Sequence, residues 1–372
     1  MNKRVLIDLT YIREGVHDGI AKYAYRLLEY ILKSDIQDHY ILLVHQRGAD
    51  FIRKEFPQFQ IEQIGKSWMN HVKFVRAYLY AVLFKLKVNR LAPNVVFCPY
   101  ANENCSLRVK PKKIVVTHDM QLRYDLPKNL EWFLRKTTDD IYMRNSDAIV
   151  TISNFSKGQI LHFYPEVERK LYNLSNSVSM IETEGLQPMM PGYKYILYVG
   201  RLDVMKNVMT LVKAFNRIKD TVTGYKLVLV SNKWGYWDQV IHPFVKDNGL
   251  DEKVVLIKSC SETDLSRWYM GASLFVFPSL REGYGSPPVE AAYMKIPVIS
   301  TKCDSLEEVT MGLLNYYEPP KNDRALAETI MAVLGNLPSS DELQIIKDTY
   351  IQNYSIDVVG KRICDFIEKY NC

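Results

Sequence analysis

Short apolar runs recur along the chain, each closed by a polar loop and followed by a stretch whose apolar positions repeat every three or four residues. RVLIDL at 4–9 is the first such run and predicts a strand buried on both faces. A polar loop over 10–19 and an amphipathic helix over 20–32 follow it. Further strands are predicted at 40–44, 95–98, 113–117 and 148–152, with helices over 132–145 and 157–163. The pattern stops at 180–192 (MIETEGLQPMMPG), which is acidic, carries proline and glycine and has no period, and so reads as a linker. It then restarts, with strands at 195–199, 226–230, 253–257, 274–277 and 297–300. Helices are expected between them over 208–219, 237–247 and 262–270, and one more is entered through Ser286, Pro287 and Pro288. An amphipathic helix over 356–370 closes the chain. Strands alternating with helices at this spacing predict parallel sheets, and the restart predicts two Rossmann-like α/β domains.

Length agrees, because 372 residues exceed one ordinary core and suit two domains. Six cysteines form no CxxC pair and no dense framework, which fits a reducing compartment. The strand at 5–7 is not a signal-peptide core, and the uncharged run at 77–84 is too short to span a bilayer. The expectation is a cytoplasmic protein, soluble or peripheral to a membrane. The net charge of +6 is unevenly placed: residues 1–110 hold 17 basic against 10 acidic side chains, and the rest hold 31 against 32. No acid occurs over 63–102, where Lys66, Lys73, Arg76, Lys85, Lys87 and Arg90 are interleaved with Trp68, Phe74, Tyr78, Tyr80 and Phe84. This stretch, 66–90, reads either as a face for an anionic membrane or as an ordinary half-buried helix with a solvated basic rim. A basic stripe without a binding motif does not point to nucleic acid.

Candidate chemistry gathers at 277–300, FPSLREGYGSPPVEAAYMKIPVIS. A strand leads through a loop holding Glu282, Gly283, Tyr284 and Gly285 into a helix for which Ser286 is the expected N-cap. A helix start of this kind attracts phosphate, and Glu282 and Glu290 are spaced to face one cleft and grip hydroxyls. Both acids also read as solvated surface charges. Just after the first strand of the second domain, GRLDVMKN places Arg201 and Lys206 in a loop at the same sheet end, and together with the helix start they form a cationic pocket suited to a diphosphate. In the first domain, Gly15 and Gly19 lie in the loop between strand and helix. His118, followed by Asp119, stands where a strand stops, as a crevice residue or as a packed one. Neither GxGxxG nor GxxxxGK[ST] is present, so no dinucleotide fingerprint or P-loop is expected.

FPSLREGYGSPPVEAA resembles the FPSxxEGFGLPxLEA signature of family 4 retaining glycosyltransferases of the GT-B fold, and YVGRLDVMKNV resembles their YVGRLxxxKN segment. DGIAKYAYRLL, VVTHDM, SDAIVTISNFSK and PPKNDRALAETI align with further segments of that family in order, so the resemblance covers nearly the whole chain. It implies two Rossmann-like domains with parallel sheets facing across a cleft: an acceptor domain over 1–182, a nucleotide-sugar domain over 183–352, and a helix over 353–372 returning to the first. It also assigns roles. Glu282 would contact the donor sugar's hydroxyls, Glu290 the ribose, and Arg201 with Lys206 the diphosphate. Gly19 would lie by its backbone near the donor phosphates, His118 near the transferred sugar, and the amides of Tyr284, Gly285 and Ser286, beside Gly283, near sugar and phosphate. The sequence departs from the pattern at Ser286 (usually Leu), Ala21 (Gly in the subgroup), Asn176 and Ser177 (Asn-Gly), and Tyr354 and Ser355, where a Trp is common.

The expected reaction is metal-independent transfer of a hexose, with retention, from a nucleotide-diphosphate sugar to a glycan or lipid-linked glycan in surface polysaccharide (lipopolysaccharide or capsule) synthesis. The GIxRY-like loop favours GDP-mannose; a UDP- or dTDP-sugar is the alternative. No Asp-x-Asp pair is present to hold a metal, and no cofactor is expected. Arg201 and Lys206 would carry the leaving-group charge, since charge-assisted hydrogen bonds are worth roughly 1.5 to 3 kcal/mol against ~0.3 to 1 for a helix terminus. Rival readings are a sugar-nucleotide epimerase, a phosphorylase and a non-catalytic nucleotide-sugar-binding subunit.

Overall fold

The computed structural model describes residues 4–14, 19–65, 76–120, 130–179, 183–232 and 234–371. The chain forms two units, Met1–Ser177 with Ile356–Cys372, and Val178–Ser355. Lys66, Trp68, Lys73 and Phe74 of the basic aromatic stretch, Gly15 of the first loop and the start of the linker at 180–182 lie outside the described residues, as do the side chains of Arg76 and Tyr78.

The first unit holds a seven-stranded parallel sheet in the order β3-β2-β1-β4-β5-β6-β7. Its strands are β1 (Val5–Leu9), β2 (Tyr40–His45), β3 (Gln60–Ile64), β4 (Val95–Cys98), β5 (Lys112–Val116), β6 (Ala148–Thr151) and β7 (Leu171–Asn173). Every residue of β1, β4 and β6 is buried, as a parallel sheet covered on both faces requires. The helices are α1 (Gly19–Lys33), α2 (Gln46–Glu55), α3 (Arg76–Leu91), α4 (Leu130–Asn145) and α5 (Asn154–Phe163). Helix α1 buries Ala21, Tyr23, Ala24, Leu27, Leu28 and Ile31, one face at three- and four-residue spacing.

The second unit holds a six-stranded parallel sheet, β10-β9-β8-β11-β12-β13. Its strands are β8 (Lys194–Val199), β9 (Tyr225–Val230), β10 (Val254–Ile257), β11 (Leu274–Phe277), β12 (Val298–Ser300) and β13 (Asn315–Tyr316). The helices are α6 (Val208–Ile218), α7 (His242–Asp247), α8 (Glu262–Gly271), α9 (Ser286–Tyr293), α10 (Leu306–Val309), α11 (Asp323–Gly335) and α12 (Ser340–Tyr354). In both sheets the strand order reverses beside the first strand of the unit, between β1 and β4 and between β8 and β11. Loops at the carboxyl ends of strands flanking such a reversal are where open α/β sheets bind ligands.

Three local differences from the expected pattern have physical causes. The helix expected over 237–247 begins as a π-helical turn, Trp237–Ile241, before α7, because Pro243 in the first turn of α7 has no N–H to give to the regular ladder. In the basic stretch, Phe84 and Val88 of α3 are fully buried and the Tyr80 hydroxyl bonds His45 Nε2 at 2.7 Å, so these aromatics face the core. Lys87 is paired with Glu62 at 2.7 Å, leaving Lys85, Leu86 and Arg90 exposed on this helix. Finally, α13 (Ile356–Glu368) belongs to the first unit and packs on α1, where Gly360 lies against the Tyr30 ring and Lys33 meets Asp357 at 2.6 Å.

Candidate active site

In the second unit, two loops leave the paired strands β8 and β11 side by side and are tied to each other by their backbones. Leu280 N–H donates to the Met205 carbonyl at 2.8 Å, and Asn207 Nδ2 donates to the Pro278 and Pro320 carbonyls at 3.1 and 2.7 Å. The loop after β12 supports them from the other side. Thr301 Oγ1 donates to the Ser279 carbonyl at 2.5 Å, Ser305 Oγ donates to the carbonyls of Glu282 and Tyr284 at 3.1 and 3.0 Å, and Asp304 Oδ2 accepts from Glu282 N–H at 3.1 Å. Ser279, Thr301 and Ser305 are completely buried, so these bonds hold the backbone of the Glu282 loop away from competing water.

On this frame Lys206 and Glu282 meet. Their Nζ and Oε1 atoms are 2.5 Å apart, with side chains 13% and 12% exposed. Lys206 Nζ also reaches the Arg281 carbonyl at 3.5 Å, while its backbone N–H is held by Asp203 Oδ1 at 2.9 Å. Arg201 is more open, 55% exposed, with Nε 3.7 Å from Asp203 Oδ2. The loop composition overstates the free positive charge of the pocket, because Glu282 already neutralises Lys206.

Two buried tyrosines stand behind the acids, and neither was singled out in the sequence. Tyr198 donates to the Arg201 carbonyl at 2.7 Å and so shapes the turn that presents Arg201. Tyr269, on α8, lies beside Glu290 on α9. Burial first, then the neighbouring charges of Glu282 and Asp203 for Tyr198 and of Glu290 for Tyr269, push both hydroxyls well above their ordinary range. They therefore remain neutral donors at any physiological pH. The usable signal for Tyr198 was its place at the end of β8; Asp304 and Ser305 had only their position after β12.

The start of α9 corrects one expectation. The N-cap is Gly285, at φ +88° and without a side-chain cap bond, and Ser286 is the first helical residue. An added Cβ at Gly285 would sit 2.5 Å from Leu306 Cδ2, so both the left-handed backbone and the close approach of α10 require glycine. Pro287 and Pro288 carry no N–H, which leaves fewer amides facing forward than a helix start normally offers. Its contribution to anion binding is correspondingly reduced, and the side-chain cations carry more. Gly283 and the half-buried Glu290 lie on this same loop and helix.

In the first unit, His118 follows β5. It is 8% exposed, its Nε2 donates to the Pro99 carbonyl at 2.8 Å, and its ring packs edge-on against Tyr23 with centroids 5.2 Å apart. Polar side chains also meet at the end of β1 and after β4. Asp8 Oδ1 accepts from Thr10 N–H and Oγ1 at 3.0 and 2.6 Å, and Thr10 Oγ1 accepts from Asn104 Nδ2 at 2.7 Å. Burial raises the Asp8 carboxyl from 3.8 to about 6, against the lowering effect of those bonds. Gly19 begins α1, is exposed, and has open space where a Cβ would lie. His118 and Gly19 belong to the first unit, and the remaining candidates to the second.

Comparison with known proteins places this geometry. Residues 187–348 match the family model described as Glycosyl transferases group 1. The chain is similar to the O-antigen chain mannosyltransferase B of Escherichia coli, 29% identical over 219 residues, 56% of each chain. It is also similar to the O-antigen chain mannosyltransferase RfbU of Salmonella typhimurium, 27% identical over 223 residues, 59% of each. It thus spans little more than half the length of these relatives. Among solved structures it resembles a glycosyltransferase from Rickettsia africae, with TM-score 0.77, 16% identity and coverage of 100% of this chain and 99% of that one. Anabaena HepE in complex with UDP gives TM-score 0.73 at 14% identity over 99% and 100% of the two chains. The chain has the GT-B fold of two Rossmann-like units, and residues 187–348, within its second unit, match the model of glycosyl transferases group 1.

Proposed function

We propose that the protein transfers a hexose from a nucleotide-diphosphate sugar to a glycan or lipid-linked glycan acceptor in surface polysaccharide synthesis, with retention and without a metal ion. The observation that carries this reading is the Lys206–Glu282 pair, 2.5 Å apart on loops at the strand reversal of the second unit, within the residues that match the glycosyl transferases group 1 model. GDP-mannose is the favoured donor, because the similar O-antigen proteins are named as mannosyltransferases.

In this reading the diphosphate draws Lys206 away from Glu282 and is held between it and Arg201. Glu282 then accepts from the hydroxyls of the donor sugar, and Glu290, with Tyr269 behind it, accepts from the ribose. The amides around Gly283, Tyr284, Gly285 and Ser286 complete the lining. As the bond to the anomeric carbon breaks, negative charge builds on the leaving diphosphate, and fixed cations stabilise that charge without reorganising. The acceptor oxygen attacks from the face the phosphate leaves, so no protein nucleophile is needed. Contact with an anionic membrane would fall to Lys85, Leu86 and Arg90 among the described residues.

Replacing Lys206 with Ala tests the assignment. With the donor identified from a screen of GDP-, UDP- and dTDP-sugars, K206A should lose roughly 10²- to 10³-fold in kcat, the scale for removing one preorganised charge-stabilising donor. Unchanged turnover in a folded variant would remove Lys206 from the mechanism.

A further inference from the structure

Three metal-ligating side chains meet at the strand reversal of the first unit. Asp8, Cys98 and Cys105 are completely buried, and one ligand atom from each lies within 4.8 Å of the other two. Among the described residues no other three His, Cys, Asp or Glu side chains converge in this way. Topology brings them together. β1 and β4 pair with Ile7 opposite Phe97, so Asp8 and Cys98 are the next residues along on neighbouring strands. The loop after β4 is anchored where Ala101 N–H donates to the Val116 carbonyl at 3.0 Å, and it turns back through Glu103–Cys105 to set a second sulfur beside the first. The two thiols are in hydrogen-bond contact, and both are free.

Two further observations point to an ion. Asp8 Oδ1 accepts from Thr10, and the Asn102 side chain helps the carboxyl least, but Oδ2 is fully enclosed and makes no hydrogen bond. A buried carboxylate oxygen without a partner is costly, and a cation removes that cost. The second observation is Lys113, 1% exposed, whose Nζ donates to the Cys105 and Leu107 carbonyls at 2.5 and 2.9 Å and whose charge acts on both sulfurs. With Asp8 and both thiols ionised the cluster is triply negative. Lys113 offsets one charge and leaves the pair that a divalent ion neutralises.

We propose that Asp8, Cys98 and Cys105 form a structural zinc site, with Asn102 Oδ1, 3.8 Å from Cys105 Sγ, as the fourth ligand. Thiolates select zinc over Mg²⁺ and Mn²⁺, which take oxygen ligands, so this site has no part in the metal-free transfer proposed above. Tetrahedral zinc, with Zn–S ~2.3 Å and Zn–O ~2.1 Å, sets its ligands about 3.6 to 3.8 Å apart, so the cluster closes by roughly an ångström. A site with four protein ligands and no open position staples the fold. What it staples is the 99–105 loop, whose Pro99 carbonyl holds His118 Nε2 at 2.8 Å.

Metal analysis and X-ray absorption of the full chain, purified under reducing conditions from zinc-supplemented medium, test this. The wild type should carry about one zinc per chain, bound through sulfur. Chelator-treated protein should regain it on titration, with a rise in melting temperature. Cobalt in place of zinc should give thiolate charge-transfer absorption and the d–d bands of a tetrahedral centre. C98S and C105S should lose both the zinc and the cobalt bands. D8N, which in the zinc-free chain removes only a costly buried carboxyl, should bind zinc weakly and lose the zinc-dependent rise in melting temperature. A reduced wild type that takes up neither metal, zinc bound without sulfur, or zinc retained in the C98S/C105S double variant would overturn the site. So would a Cys98–Cys105 disulfide in the protein as purified.

Discussion

At the residue scale, Lys206 and Glu282 are each about seven-eighths buried and 2.5 Å apart, so each holds the other's charge in place until a ligand intervenes. Removing the acid while keeping its shape should therefore release Lys206 for phosphate. Glu282→Gln is expected to bind GDP more tightly, roughly tenfold, as about 1.5 kcal/mol of charge-assisted bonding passes to the ligand. The same variant should transfer sugar poorly, because its amide no longer accepts from the donor hydroxyls as a carboxylate does. Calorimetry and steady-state kinetics on one preparation give both results, and weaker GDP binding would contradict the internal competition. Asp8 offers a second test, in stability. Its carboxyl is raised in the native state to about 6 from 3.8, so the folded protein binds the proton more tightly than the unfolded chain between those values. Stability from this group is full below pH about 4 and is lost as pH rises through about 6, a difference of about 3 kcal/mol. Asp8→Asn should abolish that falling slope in denaturant titrations from pH 4 to 7 and leave the variant more stable at pH 7. That Lys206 and Glu282 lie at one end of the sheet was legible because loops after strands in a doubly wound sheet converge. The pairing of Lys206 with Glu282, 76 positions away, was not, because no local pattern encodes a contact between two loops.

At the scale of elements, the central strands were readable from apolar runs alone, since parallel strands covered on both faces have no polar alternation to confuse them. Three of the four edge strands were not, β10 being the exception. β3 reads QIEQI and is mostly half-exposed, while β7 and β13 have three and two residues, so neither hydrophobicity nor length marked them. The entry to α9 shows a different limit. Ser286 has the composition of an N-cap, yet the cap is Gly285, because the chain must turn through positive φ under the Leu306 side chain to aim Glu282 and Gly283 at the loop after β8. Gly285→Ala should cost about 1 to 2 kcal/mol for the left-handed backbone and more for the clash with α10. Thermal melting checks the cost, and an unshifted melting point would show that the turn relaxes without consequence. The expected anion site at this helix start is weaker than a generic one because Pro287 and Pro288 supply no amides.

At the scale of the molecule, the restart of the strand–helix pattern after the linker stretch carried the duplication, and the structure resolves it into sheets of seven and six strands. Composition carried less. The basic aromatic stretch left two readings open, a membrane face or a half-buried helix with a solvated basic rim; among its described residues Tyr80 and Phe84 turn inward and Lys87 is paired, because a helix lying on a sheet must bury one side whatever its charge. The C-terminal helix returns to the first unit through a close approach that needs Gly360 beside Tyr30, a demand no periodicity announces. The account of function rests on fixed side-chain cations replacing a metal and on attack from the leaving-group face. Both are read in one experiment: proton NMR of the product formed from GDP-mannose and a panel of mannose-terminated oligosaccharides in the presence of EDTA. The account predicts a mannosyl product with the same anomeric configuration as the donor, formed at an undiminished rate; inverted configuration, or no product until Mg²⁺ or Mn²⁺ is restored, would contradict it.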